Sequence, residues 1–198
     1  MLPERLLATP VALRHFTTAD APRVQLLAGE RDVAESTALI PHPYPEGAAA
    51  AWIATHEPAR RSGAEYTYAI TESGDDLLIG AIGLRPGPSE HESFGYWVGS
   101  AYWNRGYATA AAQAMIVLAF ELLDLDELTA SHLARNSASG RVMEKCGMRL
   151  LRTETRDHRG IPEAFCVRGI TREGWARVIG TDVRGQGKRS RAAETSKR

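Results

Sequence analysis

The order of apolar and polar positions divides the chain into short strands and helices. VALRHF (11–16) predicts a first strand, and TTAD after it predicts a helix start, with Thr17 or Thr18 as the N-cap and Asp20 in the first turn. Val24, Leu27 and Ala28 recur at helical spacing, and a second helical stretch runs to about Ile40. PHPYPEG (41–47) holds three prolines, which exclude a helix interior or a central strand and predict a rigid loop. EGAAAAWIATH (46–56) resumes helix. YTYAI (66–70) alternates and is rich in aromatic and β-branched residues, so it predicts a strand. ESGDD turns it into LLIGAIGLR (77–85), the second arm of an antiparallel hairpin. SFGYWVG (93–99), after the loop RPGPSEHE, is a third strand.

The second half alternates more regularly. Residues 107–123 are apolar almost all round, as in a helix buried against a sheet. LTASHL (128–133) predicts a strand. ARNSASGRVMEKCG (134–147) predicts a helix capped by Asn136 or Ser137, with Val142, Met143 and Cys146 inward and Gly147 just past its end. MRLLRTETRD and EAFCVRGI are two strands joined by HRGIP, and TREGWARVIG is a short last helix. The remaining stretch, RGQGKRSRAAETSKR, has no apolar period and predicts a disordered basic tail. The predicted fold is α+β: a mixed, mostly antiparallel central sheet with helices on both faces. One domain occupies residues 1–180 and a tail 181–198.

Composition narrows the function classes. A chain of 198 residues, 43% hydrophobic, suits one domain with a real core. Lys plus Arg equals Asp plus Glu at 24 each, without the basic excess expected of a nucleic-acid binder. Cys146 and Cys166 lack metal-ligand spacing and do not make a disulfide scaffold. The six histidines are scattered and form no HExxH pair, so no metal site is expected. No G-x-S-x-G elbow supports a serine hydrolase. No apolar run is long enough for a bilayer, and the N-terminus shows no secretory pattern, so a soluble cytoplasmic protein is expected.

The chemistry concentrates at WNRGYAT (103–109), where a strand feeds the buried helix. The first N–H groups of a helix have no internal partner, and its dipole makes that end positive. Gly106 lacks a side chain and Ala108 has only a methyl, so a phosphate could approach the backbone of Asn104–Thr109, with Arg105 adding charge and Thr109 a hydroxyl. A plain strand-to-helix corner fits the same residues. Neither GxxxxGK[ST] nor GxGxxG is present.

YWVGSAYWNRGYATAAAQAM followed by NSASGRVMEKCGM resembles the Gcn5-related N-acetyltransferase (GNAT) family, in particular its ribosomal-protein alanine acetyltransferase-like branch. The family's [R/Q]-x-x-G-x-[G/A] aligns with Trp103 to Ala108, with Trp103 in place of Arg or Gln. LRHF, PHPYP, IGAIGL and ITREGW extend the likeness over residues 10–175. The resemblance implies acetyl-CoA in a V-shaped cleft between SFGYWVG and a parallel LTASHL, with no metal. Asn104, Arg105, Gly106, Tyr107, Ala108 and Thr109 would hold the pyrophosphate, and the backbone at Val98 would polarise the thioester carbonyl. Asn136 would contact the pantetheine arm.

An amine would attack the thioester directly. Ser139, one helical turn after Asn136, is the candidate proton donor; a polar first-turn residue is the bland alternative. Relatives often carry a Glu at the place of Ser93. Glu92 is one residue earlier, and such a shift turns a side chain to the other face of a strand. Glu35, water, or no dedicated base are the alternatives. His42 and Tyr44 in the proline loop, with Trp97 on the strand, are assigned to the acceptor, while Trp52 is assigned to packing. The acceptor is a primary amine, either a protein N-terminus or a small molecule. A non-catalytic acyl-CoA-binding module is the rival reading, and the oligomeric state stays open, a homodimer included.

Overall fold

The computed structural model describes residues 2–87 and 92–180. The expected tail at 181–198, and His91 with the loop residues 88–90, lie outside the described residues. Five strands form one antiparallel sheet: β1 (Arg5–Ala8), β2 (Val11–Arg14), β3 (Tyr66–Glu72), β4 (Leu78–Leu84) and β5 (Phe94–Val98), in that order. Three more form a second antiparallel sheet in the order β6-β8-β7, with β6 at Glu127–Leu133, β7 at Arg149–His158 and β8 at Ile161–Thr171. The helices are α1 (Ala21–Ala28), α2 (Arg31–Ser36), α3 (Ala48–Ala54), α4 (His56–Ser62), α5 (Tyr107–Val117) and α6 (Ser137–Lys145), and residues 172–180 are also helical.

Period-2 alternation on the first sheet sorts side chains into two cores. Val11, Leu13, Tyr68, Ile70 and Ile82 pack with Ala111, Ala112, Met115 and Ile116 of α5. Ala69 faces the other way, with Val24, Leu27 and Ala28 of α1 and Ala49 and Ile53 of α3. Helices therefore cover both faces, as expected. The all-apolar α5 is buried against the sheet and widens into a π turn over Leu118–Leu122. On α6, Met143 and Cys146 are buried, and Val142 packs at the edge of the same core.

Several boundaries differ from the sequence reading. β1 was not expected: RLLA is short and lies between Pro3 and Thr9–Pro10, yet it pairs in register with β2, Leu6 opposite Leu13. The single helix expected at 46–56 is two helices, because Thr55 ends α3 and starts α4. HRGIP is not a five-residue loop. The ladder of β7 and β8 continues to His158 opposite Ile161, and Arg159–Gly160 alone make the turn, with φ of 60° and 79°. Both residues at positive φ are the mark of a tight hairpin turn matched to strand twist.

The feature that matters most lies between the sheets. The described strand ladders are all antiparallel, and β5 and β6 share none. At one end Ser93 joins them. Its Oγ accepts from Thr129 N–H at 2.9 Å and lies 3.2 Å from Thr129 O as donor. β5 begins one residue after Ser93, and Thr129 is the third residue of β6, so both strands run away from this contact in the same chain direction. Beyond it a cleft opens, lined by Phe94–Trp97 on one side and Ser131–Leu133 on the other. This is the expected V between two parallel strands.

Ser93→Ala would leave the Thr129 amide without its partner at the apex. The donor is half-buried, so the cost lies toward the low end of the roughly 1–3 kcal/mol of an unsatisfied buried donor. The urea midpoint should fall accordingly with an unchanged m-value; an unchanged midpoint would show that the Ser93 contact does not hold the sheets.

His56 gives a second prediction. Both of its ring nitrogens are buried without a hydrogen-bond partner, against the rings of Phe16 and Trp52. Desolvation lowers its pKa from 6.5 to about 4. The unfolded chain therefore binds a proton that the folded chain refuses, between about pH 6.5 and 4. This contribution to stability is full above pH 6.5 and declines as pH falls through that window. Melting temperature measured against pH should fall there, and less steeply in His56→Phe, which cannot be protonated.

Candidate functional site

Backbone parity sets what the cleft offers. Gly99 N–H bonds Ile79 O at 2.9 Å and Arg85 N–H bonds Ser93 O at 2.7 Å, so odd-numbered residues of β5 face β4. In an antiparallel ladder the intervening residues turn their amides outward. The amides of Tyr96 and Val98 therefore face the cleft. On β6, Ala134 N–H bonds Ala164 O at 2.8 Å, so even-numbered residues face β8 and the amides of Ser131 and Leu133 face the cleft. Both walls thus carry backbone groups outside any sheet ladder, along which an extended ligand can pair. The carbonyl of Val98 is already engaged: Trp103 Nε1 donates to it at 2.6 Å. Trp103 of the motif thus ties the joint to the end of the strand.

The joint itself is open backbone. Asn104 has φ 61° and Gly106, the N-cap of α5, has φ 81°. No side chain caps this helix, and its first intrahelical bond is Ala110 N–H to Gly106 O. The amides of Tyr107, Ala108 and Thr109 precede that bond and have no intrahelical acceptor. A Cβ at Gly106 would meet nothing within 4 Å. The glycine is needed for its left-handed φ, and the space in front of it is clear. Arg105 lies over the Tyr102 ring, 5.6 Å from its centroid, and 4.0 Å from Glu72, which also accepts from Tyr107 Oη at 2.5 Å.

At the mouth of the V, two hydroxyls meet. Tyr96 Oη lies 2.9 Å from Ser139 Oγ and 3.3 Å from Ser139 O. Burial pushes the Tyr96 phenol well above its ordinary range, so it stays protonated. The first turn of α6 is held by Asn136, whose Oδ1 accepts from Ser139 N–H at 3.1 Å. The buried His132 ring fits under Gly140, where a Cβ would come within 3.0 Å of it; its Nδ1 lies 2.9 Å from Leu133 O, and Arg168 donates to its Nε2 at 3.3 Å. With Arg168 as the donor, Nε2 accepts, and Nδ1 is the nitrogen that faces the Leu133 carbonyl.

The cleft continues into a cavity of 610 Å³ walled by aromatic rings and by the segment Ser36–Pro41. That segment hangs from the far side of the molecule. Asn136 Nδ2 donates to Ser36 O at 3.0 Å, His158 Nε2 lies 3.0 Å from Thr37 O, and Arg159 donates to Ala34 O and Ile40 O at 2.7 and 2.6 Å.

Comparison with known proteins decides the family. The model described as "Acetyltransferase (GNAT) domain" matches residues 11–149. This chain belongs to the GNAT family. It is 33% identical over 94 residues to the FsC-acetyl coenzyme A-N(2)-transacetylase of Aspergillus fumigatus, a match covering 46% of this chain and 40% of that protein. The chain matches less than half the length of each of the curated relatives compared. The GNAT acetyltransferase structure from Bacillus anthracis superposes with a TM-score of 0.75 at 24% identity, covering 85% of this chain and 99% of that one. RimL, a ribosomal L7/L12 alpha-N-protein acetyltransferase solved in complex with coenzyme A, does so with a TM-score of 0.75 at 14% identity, over 85% and 98% of the two chains. At these identities the structures speak for the GNAT fold.

Within this GNAT fold the residues singled out from sequence fall in different places. Ser139, Tyr44 and Trp97 line the cavity. Trp52, assigned to packing, lines it too while packing on Phe16. Tyr96 and Trp97 are neighbours on a strand and point to opposite faces, yet both reach the cavity, because β5 is an edge strand and the cavity wraps around that edge. His42 is exposed and is not among the lining residues. Glu35 also lies away from the cavity, on α2, where Arg31 donates to it at 2.7 Å and holds its carboxyl below the usual range. Asn136 spends its side chain on the α6 cap and on Ser36 O. Residues 104–109 lie outside the cavity, at the other end of the free edge of β5.

Glu92 does line the cavity. Burial alone would raise its pKa, but the Arg156 guanidinium, bound to both of its oxygens, holds it below the ordinary value. It is an ion-pair partner and a poor proton acceptor. Sequence reasoning missed Tyr96 as a site residue and missed Arg156 altogether. Alternation placed Tyr96 on a face without showing that α6 brings Ser139 against it, and Arg156 reads as one more exposed charge on a polar strand.

Proposed function

We propose that this protein is an N-acetyltransferase that moves an acetyl group from acetyl-CoA to a primary amine by direct attack. The observation that carries the reading is the line of open backbone groups running from the Tyr96–Ser139 hydroxyl pair, along the free edge of β5, to the uncapped N-terminus of α5 at Gly106. A pantetheine arm is a chain of amides that can pair with such an edge. A pyrophosphate suits orphan amides at the positive end of a helix. Coenzyme A carries both, and two relatives in the same fold, RimL and the microcin C7 immunity protein MccE, were solved with coenzyme A and with acetyl-CoA.

The residues then take these roles. Tyr107, Ala108 and Thr109 donate backbone N–H groups to the pyrophosphate, with Asn104, Arg105 and Gly106 shaping the approach. Val98 N–H donates to the thioester carbonyl, where negative charge develops. The amine attacks unprotonated, the C–S bond breaks, and the thiolate takes a proton from Ser139 Oγ. Tyr96, kept protonated by burial, lies 2.9 Å from Ser139 Oγ and steadies that hydroxyl, and Ser139 regains its proton from the water that takes up the amine's. Glu35 and Glu92 are both held by arginines, so the amine gives up its proton to water. Asn136 acts by positioning Ser139 through the α6 cap. The engaged carboxylates also favour the rival reading, a module that binds acyl-CoA without turnover.

Thermal unfolding with acetyl-CoA, CoA and ATP separates these readings from a mere corner. A ligand at about 100 times its dissociation constant adds about 2.7 kcal/mol to the folded state. Acetyl-CoA and CoA should raise the melting temperature, ATP should not, and Gly106→Glu should remove the shift by strain at φ 81° and by like charge. No shift with the native chain would end the acyl-CoA reading.

Catalysis is tested separately. Ser139→Ala should lower kcat by about 10²-fold, in the range of lost general-acid catalysis. Tyr96→Phe should lower it less, and both should keep the acetyl-CoA shift. CoA release at the native rate in Ser139→Ala would remove that residue from the mechanism. Silence of the native chain across an amine panel would favour the binding module.

A further inference from the structure

We infer that the acceptor is a small monoamine carried on an apolar or aromatic body, and that polyamines and aminoglycosides are excluded; this rests on the acetyltransferase reading above. The charges of the cavity wall are already paired. Among the described lining residues the full charges are Glu65, Arg85, Glu92 and Arg156, two of each sign. None is idle. Arg85 donates to both oxygens of Glu65, at 2.9 and 3.3 Å, and Thr67 Oγ1 adds a third bond at 3.0 Å. Arg156 holds both oxygens of Glu92, and it also bonds Glu154 at 2.6 Å and Ser131 Oγ at 3.3 Å.

A polyamine or aminoglycoside brings several ammonium groups, and each needs a carboxylate in exchange for its water. Among the described residues a second ammonium could gain one only by breaking an arginine pair, which would strand a guanidinium on a half-buried wall. The rest of the wall is built for apolar matter: the rings of Tyr44, Trp52, Phe94, Trp97 and Phe165, with Leu39 and Ile40 of the strap. The 610 Å³ includes the cleft along β5, so what is left beside an acyl-CoA arm is space for a small organic molecule. Tyr96 and Ser139 supply the polar point on the same wall, so a ligand with one amine and an apolar body meets a matching polar end and apolar side. Trp97 is the specificity-determining residue on this reading. It lies next to Tyr96 in sequence and packs toward the α1 and α3 side.

The test is CoA release by the full chain with phenethylamine and tryptamine, against spermidine, kanamycin and a hexapeptide with a free N-terminus. Acetyl-CoA binding is followed in parallel by thermal shift. We expect kcat/KM for the aromatic monoamines at least about tenfold above every other acceptor. Trp97→Ala should raise their KM about tenfold with kcat and the acetyl-CoA shift retained. Equal or better use of spermidine, kanamycin or the peptide overturns the inference, and so does an unchanged KM in Trp97→Ala. Acetyl-CoA binding with no turnover of any acceptor also overturns it while leaving the cofactor assignment intact. Failure to bind acetyl-CoA is instead the failure of the underlying reading. If Trp97→Ala does not fold, Tyr44→Ala, on the loop side of the cavity, takes its place with the same expected change in KM.

Discussion

The site depends on one short contact, the serine at 93 bridging two strands that never pair. A continuous sheet would consume the amides of Tyr96, Val98, Ser131 and Leu133 in ladder bonds. Two separate sheets would leave nothing to fix their distance. Ser93 sits between these outcomes. A side-chain hydroxyl that accepts from Thr129 N–H and donates to Thr129 O imitates one rung of a ladder. One rung holds the apex and leaves the strands free to splay as their twists diverge.

The far wall is held by a different device. Segment 36–41 is not part of a sheet, and its backbone oxygens would be unpaired over the cavity. Side chains from α6, the β7–β8 turn and its neighbours supply the donors: Asn136, His158 and Arg159. His158 is strictly placed, because its two ring nitrogens lie 3.0 Å from Thr37 O and 3.2 Å from Glu163 Oε1, both acceptors. Asn136 is the shared member. Its Oδ1 accepts from Ser139 N–H and its Nδ2 donates to Ser36 O, so the first turn of α6 and segment 36–41 are positioned by the same residue. Asn136 thus holds the local geometry at the place where the resemblance implied a contact to the pantetheine arm.

The sequence made the elements legible wherever periodicity and local chemistry agreed. The alanine-rich α5 against the sheet, the Asn136 cap and the hairpin of β3 and β4 were readable because each is a local property. β1 was not, since four residues between prolines carry too little pattern. The break at Thr55 was not, since no glycine or proline marks it. At the site, Gly106 was readable as the turn into α5, a local property, while the ligand was not, because a plain corner uses the same residues. Glu35 and His42 were misplaced because nearness in sequence to the proline loop says nothing about which side of the loop faces the cavity. Tyr96 escaped because its partner is 43 residues away, and pairing at that separation is a property of the fold.

The two ends of the site also differ in kind, and that difference has a physical reason. At Gly106 the groups are main-chain amides on open ground, where no neighbour lies within 4 Å of the added carbon. Such a surface suits a solvated, multiply charged group that gives up little of its water. In the cavity the charges are already spent on one another and the rings exclude water, so an entering group gains by being apolar. A ligand that is highly charged at one end and reacts at the other can thus lie with its charge outside and its reactive bond inside. The free edge of β5 is the track that joins the two. Its length is set by where Ser93 lets the strands part and by where Trp103 closes on Val98 O.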